Sequence, residues 1–316
     1  MKDSFGRDIT YLRLSVTELC DLRCRYCMPE EGVCKKRHDQ MLTEDEMIRA
    51  VQAAAKLGIN RVRITGGEPL TKPNILSICE RAAAVPGIGE IAVTTNGMAL
   101  PRLAHPLREA GVKRVNISLD TLNAEKYAYI TRRGRLQDAL AGLHAALEAG
   151  FEKVKINAVL IGGFNEDEIP ALAALTEQYP VDMRFIELMP MPGGAPFGPE
   201  SYIPVARVLE ALPKAQPEKD EGVARLYRLP GAKGRIGLIS PVSQHFCAAC
   251  NRLRLTADGK IKPCLHSAEE ISIKGLDDAG MLEALRRAIL GKPACHEELN
   301  AQSPSHSQRS MNRIGG

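Results

Sequence analysis

Tyr11-Leu12-Arg13-Leu14-Ser15-Val16-Thr17-Glu18-Leu19-Cys20-Asp21-Leu22-Arg23-Cys24-Arg25-Tyr26-Cys27 runs an apolar, β-branched pattern straight into three cysteines. The strand reads over residues 11–17, and the loop after it carries C-x3-C-x2-C. The order repeats downstream. Runs at 61–65, 90–95, 114–119, 153–161 and 182–188 read as strands, and helical patterns lie at 44–57, 74–85, 101–110, 136–149 and 169–178. The first helix opens on a capping box, Thr43 with Glu46 three residues on, and closes at Gly58. Strand–helix units in series predict a parallel sheet with right-handed crossovers. Six units are too few for a full eightfold barrel, so the expectation is an α/β chain with a partial, open (β/α)6 TIM-like barrel. A doubly wound sheet is the alternative.

The pattern changes near Pro190-Met191-Pro192-Gly193-Gly194, and a looser stretch follows to about Gly222. From Arg225 the runs read as antiparallel. Arg252-Leu253-Arg254-Leu255-Thr256 and Lys260-Ile261-Lys262 flank the turn signal Asp258-Gly259, and a helix follows at 281–290. Two regions are therefore expected: a barrel core over 1–222, and a C-terminal region over 223–316 that ends in Arg313-Ile314-Gly315-Gly316.

The 316 residues are 44% hydrophobic and 25% charged, ordinary globular usage that excludes a disordered chain. A net charge of +4 falls short of a dedicated nucleic-acid binder, and 4% aromatics without Trp argue against a stacking surface. A small anionic substrate suits the mild excess of Lys and Arg better. No apolar run reaches the length of a membrane span, and the first residues lack the core of a signal peptide. A cytoplasmic protein with no membrane or nucleic-acid partner is expected. In a reducing compartment, nine cysteines clustered at short spacing point to ligands rather than disulfides.

Thiolates of Cys20, Cys24 and Cys27 can hold three irons of a four-iron cluster and leave the fourth open to a cofactor or substrate. Zinc usually takes a closed set of four ligands. The second strand ends in Gly66-Gly67-Glu68-Pro69, where small residues admit a ligand to the backbone and Glu68 can accept from a cation. Thr94-Thr95-Asn96-Gly97, Ser118-Leu119-Asp120 and Glu187-Leu188-Met189-Pro190 end later strands. All of these fall at the rim where strand–helix barrels gather their active groups.

Cys247, Cys250 and Cys264 form C-x2-C-x13-C, with His245 and His266 nearby. Either a three-Cys, one-His zinc site or a second three-thiolate cluster fits this spacing. Cys34, Cys79 and Cys295 match neither set. Arg13, Arg61, Arg63, Lys155, Arg184, Arg252 and Arg254 lie on strands. A strand cation costs desolvation unless it meets an anion, so several converging imply a polyanion such as a triphosphate. For any one of them, a solvated outward position is an equal alternative. No P-loop is present.

The cysteine loop with Tyr26, followed by GGEP, resembles the radical S-adenosylmethionine superfamily. There the open iron binds S-adenosylmethionine, and an electron cleaves it to methionine and a 5′-deoxyadenosyl radical. With the second triad, the RLRLT run and the final Gly-Gly, nearly the whole chain resembles the GTP 3′,8-cyclase family of molybdenum-cofactor biosynthesis. The resemblance implies that GTP becomes 3′,8-cyclo-7,8-dihydro-GTP after hydrogen abstraction from C3′. It implies two [4Fe-4S] clusters, one on Cys20, Cys24 and Cys27 and an auxiliary one on Cys247, Cys250 and Cys264 whose open iron meets guanine. Tyr26, Gly66, Gly67, Glu68, Ser118 and Met189 would serve S-adenosylmethionine. Arg13, Arg63, Thr94 and Lys155 would contact GTP, with Arg61 and Arg184 as further candidates and Arg252, Leu253 and Arg254 beside the guanine. Arg313, Gly315 and Gly316 would reach the catalytic centre. Partners implied are an electron donor such as flavodoxin or ferredoxin, a downstream cyclic pyranopterin monophosphate synthase, and a second copy in a homodimer. Glu18 and Asp21 replace the Asp and Asn expected of the family loop. The rival readings are a peptide-modifying radical enzyme with an auxiliary cluster and a zinc-binding nucleic-acid module.

Overall fold

The computed structural model describes residues 1–195, 197–300 and 302–315. The strands are β1 (Tyr11–Ser15), β2 (Arg61–Thr65), β3 (Glu90–Thr95), β4 (Val112–Ser118), β5 (Lys153–Leu160), β6 (Val181–Glu187), β7 (Gln216–Glu221), β8 (Ala224–Arg228), β9 (Arg235–Ile239), β10 (Arg252–Leu255), β11 (Lys260–Lys262) and β12 (Ile271–Ser272). The helices are α1 (Glu44–Lys56), α2 (Ile75–Ala83), α3 (Leu100–Glu109), α4 (Ala124–Thr131), α5 (Leu136–Glu148), α6 (Ile169–Gln178), α7 (Ala206–Ala211), α8 (Asp278–Leu290) and α9 (Met311–Ile314).

All twelve strands share one sheet, ordered β12-β11-β10-β1-β2-β3-β4-β5-β6-β9-β8-β7. The six strands read from the sequence pair in parallel, as expected. Two more join them in parallel, β10 beside β1 and β9 beside β6. The uniform antiparallel reading from Arg225 is therefore corrected. Among the named strands, antiparallel pairing is confined to β7 with β8, β8 with β9, β10 with β11 and β11 with β12. The pairing of β10 with β1 joins chain segments some 240 residues apart and leaves no local periodicity to read.

Alternation along the parallel strands builds two unlike faces. Leu12 and Leu14, Val62 and Ile64, Val115 and Ile117, Met183 and Phe185, and Leu253 and Leu255 are buried in one apolar core. Between them, Arg13, Arg63, Asn116, Lys155, Arg184 and Arg254 occupy the opposite face. A polar inner face this dense has no core-forming purpose and marks the side on which a ligand belongs.

The capping box forms: Thr43 N–H donates to Glu46 Oε2 at 2.8 Å, and Glu46 N–H donates to Thr43 Oγ1 at 3.2 Å. The periodicity missed α4, which opens on Asn123, whose side chain accepts from Glu125 N and Lys126 N. No helix among the described residues is long and apolar enough to cross a membrane.

Candidate active site

A cavity of about 290 Å³ opens at the C-terminal ends of the parallel strands, and both cysteine triads line it. The first triad sits on the loop after β1. Cys27 N–H and Met28 N–H both donate to the Cys24 carbonyl, closing a tight turn. Arg23 N–H and Arg25 N–H tie the loop to the Thr131 and Ile130 carbonyls at the end of α4, so the helix that the sequence did not reveal positions the cysteines. Tyr26 Oη donates to Asp120 Oδ2 at 2.8 Å.

The Gly66-Gly67-Glu68 stretch packs against this loop. Gly67 N–H donates to the Thr17 carbonyl, and a Cβ at Gly67 would collide with the Leu19 carbonyl, so only glycine fits. The Glu68 carboxylate accepts from Leu70 N, Thr95 Oγ1 and Asn96 N at 2.7–2.9 Å. Burial nevertheless raises its pKa to about 7, and burial raises that of Asp120 to about 6. Burial also pushes the Cys20, Cys24 and Cys27 thiols up, the last to about 12. Such sulfurs become thiolates only beside a strong cation, which suits a sulfur-only set for iron.

Register gathers the arginines. Arg254 of β10, Arg13 of β1 and Arg63 of β2 are direct cross-strand partners in one row. Neighbouring strands lie about 4.8 Å apart, so three guanidinium stems stand side by side. Burial lowers the pKa of each and neighbouring arginines lower it further, to about 10 for Arg254. Arg184, also at about 10 through burial and then Arg63, stands on β6. Arg184 Nε, Arg252 Nε, Thr94 Oγ1 and Asn157 Oδ1 are buried without a hydrogen-bond partner. Polar donors and acceptors facing a cavity in this condition fit a polar, anionic ligand.

The second triad lines the same cavity as the first. Cys250 N–H donates to the Cys247 carbonyl, and Lys292 Nζ braces the segment through the Arg252 and Pro263 carbonyls. Burial disfavours the Cys250 thiolate, but Lys292 and Arg252 outweigh it and lower the pKa. His266 is buried with Nδ1 3.1 Å from Ser305 Oγ, and burial brings its pKa to about 3. The zinc set of three cysteines with His245 or His266 does not converge. Among the described residues, the donors that all lie within 4.8 Å of one another are those of His245, Cys247 and His296.

The tail packs against the C-terminal ends of β1 and β2 and against β10. Asn312 Nδ2 donates to the Glu18 carbonyl at 2.9 Å, and its backbone N–H reaches the Cys27 sulfur. Arg254 Nη1 donates to the Gly315 carbonyl at 2.8 Å. Gly315 has φ +84°, and a Cβ there would collide with Thr65 Oγ1. Arg309 binds Glu270 and Asp258 and lies 3.6 Å from Glu18, which also faces Lys36 at 3.0 Å, so Glu18 belongs to an ion-pair network that holds the tail.

Of the residues singled out in the sequence, Cys20, Cys24, Cys27, Tyr26, Gly66, Gly67, Glu68, Ser118, Met189, Arg13, Arg63, Thr94, Arg184, Arg252, Arg254, Cys247, Cys250 and Cys264 line the cavity. Four do not. Arg61 is exposed at the start of β2, on the end of the strand away from the rim. Leu253 points to the apolar core. Lys155 is fully buried and pairs with Glu221 at 2.7 Å and Asp182 at 3.3 Å. Arg313 turns toward Glu18, 3.6 Å away. Gly315 meets the barrel through Arg254, and Gly316 lies outside the described residues. Asn157, Asn312, Lys292 and His296 also line the cavity and were not singled out. Asn157 follows Lys155 at the strand period of two and was legible on that ground.

Residues 14–176 match the model of the radical SAM superfamily, and residues 181–298 match that of the molybdenum cofactor synthesis C-terminal domain. A GTP 3′,8-cyclase of Alkaliphilus oremlandii is 48% identical over all of both chains. The chain belongs to the GTP 3′,8-cyclase family. A GTP 3′,8-cyclase of Moorella thermoacetica is 46% identical, again over 100% of each chain. Streptococcus suis SuiB shares the fold at TM-score 0.66 and 15% identity, covering 90% of this chain and 66% of SuiB. Membership of the superfamily implies a [4Fe-4S] cluster and S-adenosylmethionine. In this cyclase-family chain, the half-buried three-cysteine loop, the close-packed Gly67 and the buried Glu68 fit that pair.

Proposed function

We propose that the chain converts GTP to (8S)-3′,8-cyclo-7,8-dihydroguanosine 5′-triphosphate, the first committed chemistry of molybdenum-cofactor biosynthesis. The observation that carries this reading is the row Arg254–Arg13–Arg63, laid across three adjacent strands and lining the same cavity as both cysteine triads. When bound, S-adenosylmethionine and a reduced four-iron cluster supply a 5′-deoxyadenosyl radical that takes the C3′ hydrogen of the ribose.

Cys20, Cys24 and Cys27 would hold that cluster. Glu68, ionised above about pH 7, would accept from the ammonium of S-adenosylmethionine, with Gly66 and Gly67 giving backbone access and Tyr26, Ser118 and Met189 as walls. Arg13, Arg63, Arg184, Arg252 and Arg254 would clamp the triphosphate and base, which holds C3′ and C8 in near-attack geometry. Thr94 would offer its unpartnered hydroxyl. Leu253 can contribute only through its backbone, and Lys155 would reach phosphate only by leaving Glu221. Cys247, Cys250 and Cys264 would hold the auxiliary cluster, and the Gly315–Gly316 end would close the wall that Arg254 anchors.

We assign residues 1–222 to radical generation and 223–316 to the auxiliary cluster and substrate. Nine free cysteines support a reducing, cytoplasmic setting. A flavodoxin- or ferredoxin-like donor, a downstream cyclic pyranopterin monophosphate synthase and a homodimer complete the proposal. The test is anaerobic turnover of the iron-reconstituted chain with S-adenosylmethionine, dithionite and either GTP or ATP. Cyclised product and 5′-deoxyadenosine with GTP alone are expected. Abundant 5′-deoxyadenosine with GTP recovered intact would refute the substrate assignment.

A further inference from the structure

The second cysteine triad has neighbours that the cyclase reading does not use. His245 Nδ1 lies 3.1 Å from Cys295 Sγ, and the His245 and His296 rings stand 4.3 Å apart. Cys247 is in hydrogen-bond contact with the His296 side chain and, separately, with Cys295. The donor atoms of His245, Cys247 and His296 all fall within 4.8 Å of one another. Tetrahedral zinc with Zn–N near 2.0 Å and Zn–S near 2.3 Å needs donors about 3.3–3.8 Å apart, so small rotations gather them.

Two further observations point to a cation. His296 Nδ1 meets its neighbour Glu297's carbonyl at 2.7 Å, which fixes the ring and leaves Nε2 for Cys247. A histidine held through its other ring nitrogen by a backbone carbonyl is the arrangement found at metal ligands. His245 and Cys295 are exposed, so an ion has an entry path.

We propose that His245, Cys247, His296 and Cys295 form a mononuclear site for a thiophilic divalent cation of the zinc class, sharing Cys247 with the auxiliary triad. Cys247 is the one sulfur common to both sets. An ion there would tie the segment around Cys247 to the one that carries Cys295 and His296. It stands on these four side chains, whatever the substrate of the cavity.

The test uses the full chain, freed of iron anaerobically and titrated with Co²⁺. One tight equivalent is expected, with a thiolate-to-cobalt charge-transfer band and tetrahedral ligand-field bands, both displaced by Zn²⁺. His245→Ala and His296→Ala should each weaken binding at least about ten-fold. Cys295→Ser should roughly halve the charge-transfer intensity by leaving one thiolate. Simultaneous Ala at Cys20, Cys24 and Cys27 should leave the titration unchanged, with far-UV circular dichroism confirming that each variant is folded. A spectrum without thiolate bands, or bands lost in Cys250→Ala or Cys264→Ala but kept in both histidine variants, would overturn the proposal.

Discussion

Glu68 titrates near neutrality because burial outweighs the three hydrogen bonds its carboxylate accepts. The folded pKa of about 7 lies above the ordinary 4.5, so ionising this group costs folding stability as pH rises through that window, while only the ionised form accepts from an ammonium. S-adenosylmethionine affinity is therefore expected to fall as pH drops below 7. Glu68→Gln should bind weakly at every pH and flatten the profile; calorimetry from pH 6 to 8.5 reads both. Arg254 carries two loads, the anion row and the Gly315 carbonyl. A charge-assisted contact is worth about 1.5–3 kcal/mol, so Arg254→Ala should weaken GTP binding roughly 10- to 100-fold. Arg254→Lys should recover only part, since the planar fork is lost. At this scale the sequence was informative about residue type and poor about depth. Arg61 and Arg63 share strand parity, yet one is exposed and the other lines the cavity, because parity says nothing of position along the barrel axis.

Elements with strong local signals were legible. The box on Thr43 and Glu46 set the start of α1 at Glu44, and α6 runs over Ile169–Gln178 as its pattern indicated. Thr43→Ala removes one cap and should cost about 1 kcal/mol, seen as a drop in Tm of roughly 2–4 °C with turnover unchanged. Elements set by distant partners were not legible. The strand β7 reads Gln216-Pro217-Glu218-Lys219-Asp220-Glu221, polar apart from Pro217, and exists through its pairing with β8 at the sheet edge. It also delivers Glu221 to Lys155, the contact that takes this lysine out of the cavity wall. The helix α4 is only eight residues long, and its one sequence signal is the Asn123 cap.

At the scale of the molecule, the chain closes on itself: β10 returns to β1, α8 packs on α1 with Arg49 paired to Asp278, and the tail crosses to Glu18 and Arg254. Two triads 220 residues apart in sequence thereby face one cavity. That each triad has the spacing of a ligand set was legible in the sequence; that both line one cavity was not, because it rests on long-range pairing. Replacing Cys247, Cys250 and Cys264 together by Ala should lower iron from about eight to about four per chain. That variant should still cleave S-adenosylmethionine while losing cyclised product, which separates the two triads by iron analysis and product assay. The most direct measurement of the central claim supplies GTP deuterated at C3′ to the reconstituted, reduced chain and weighs the 5′-deoxyadenosine formed. The account predicts one deuterium in that product. 5′-Deoxyadenosine formed at the same rate without deuterium would contradict it.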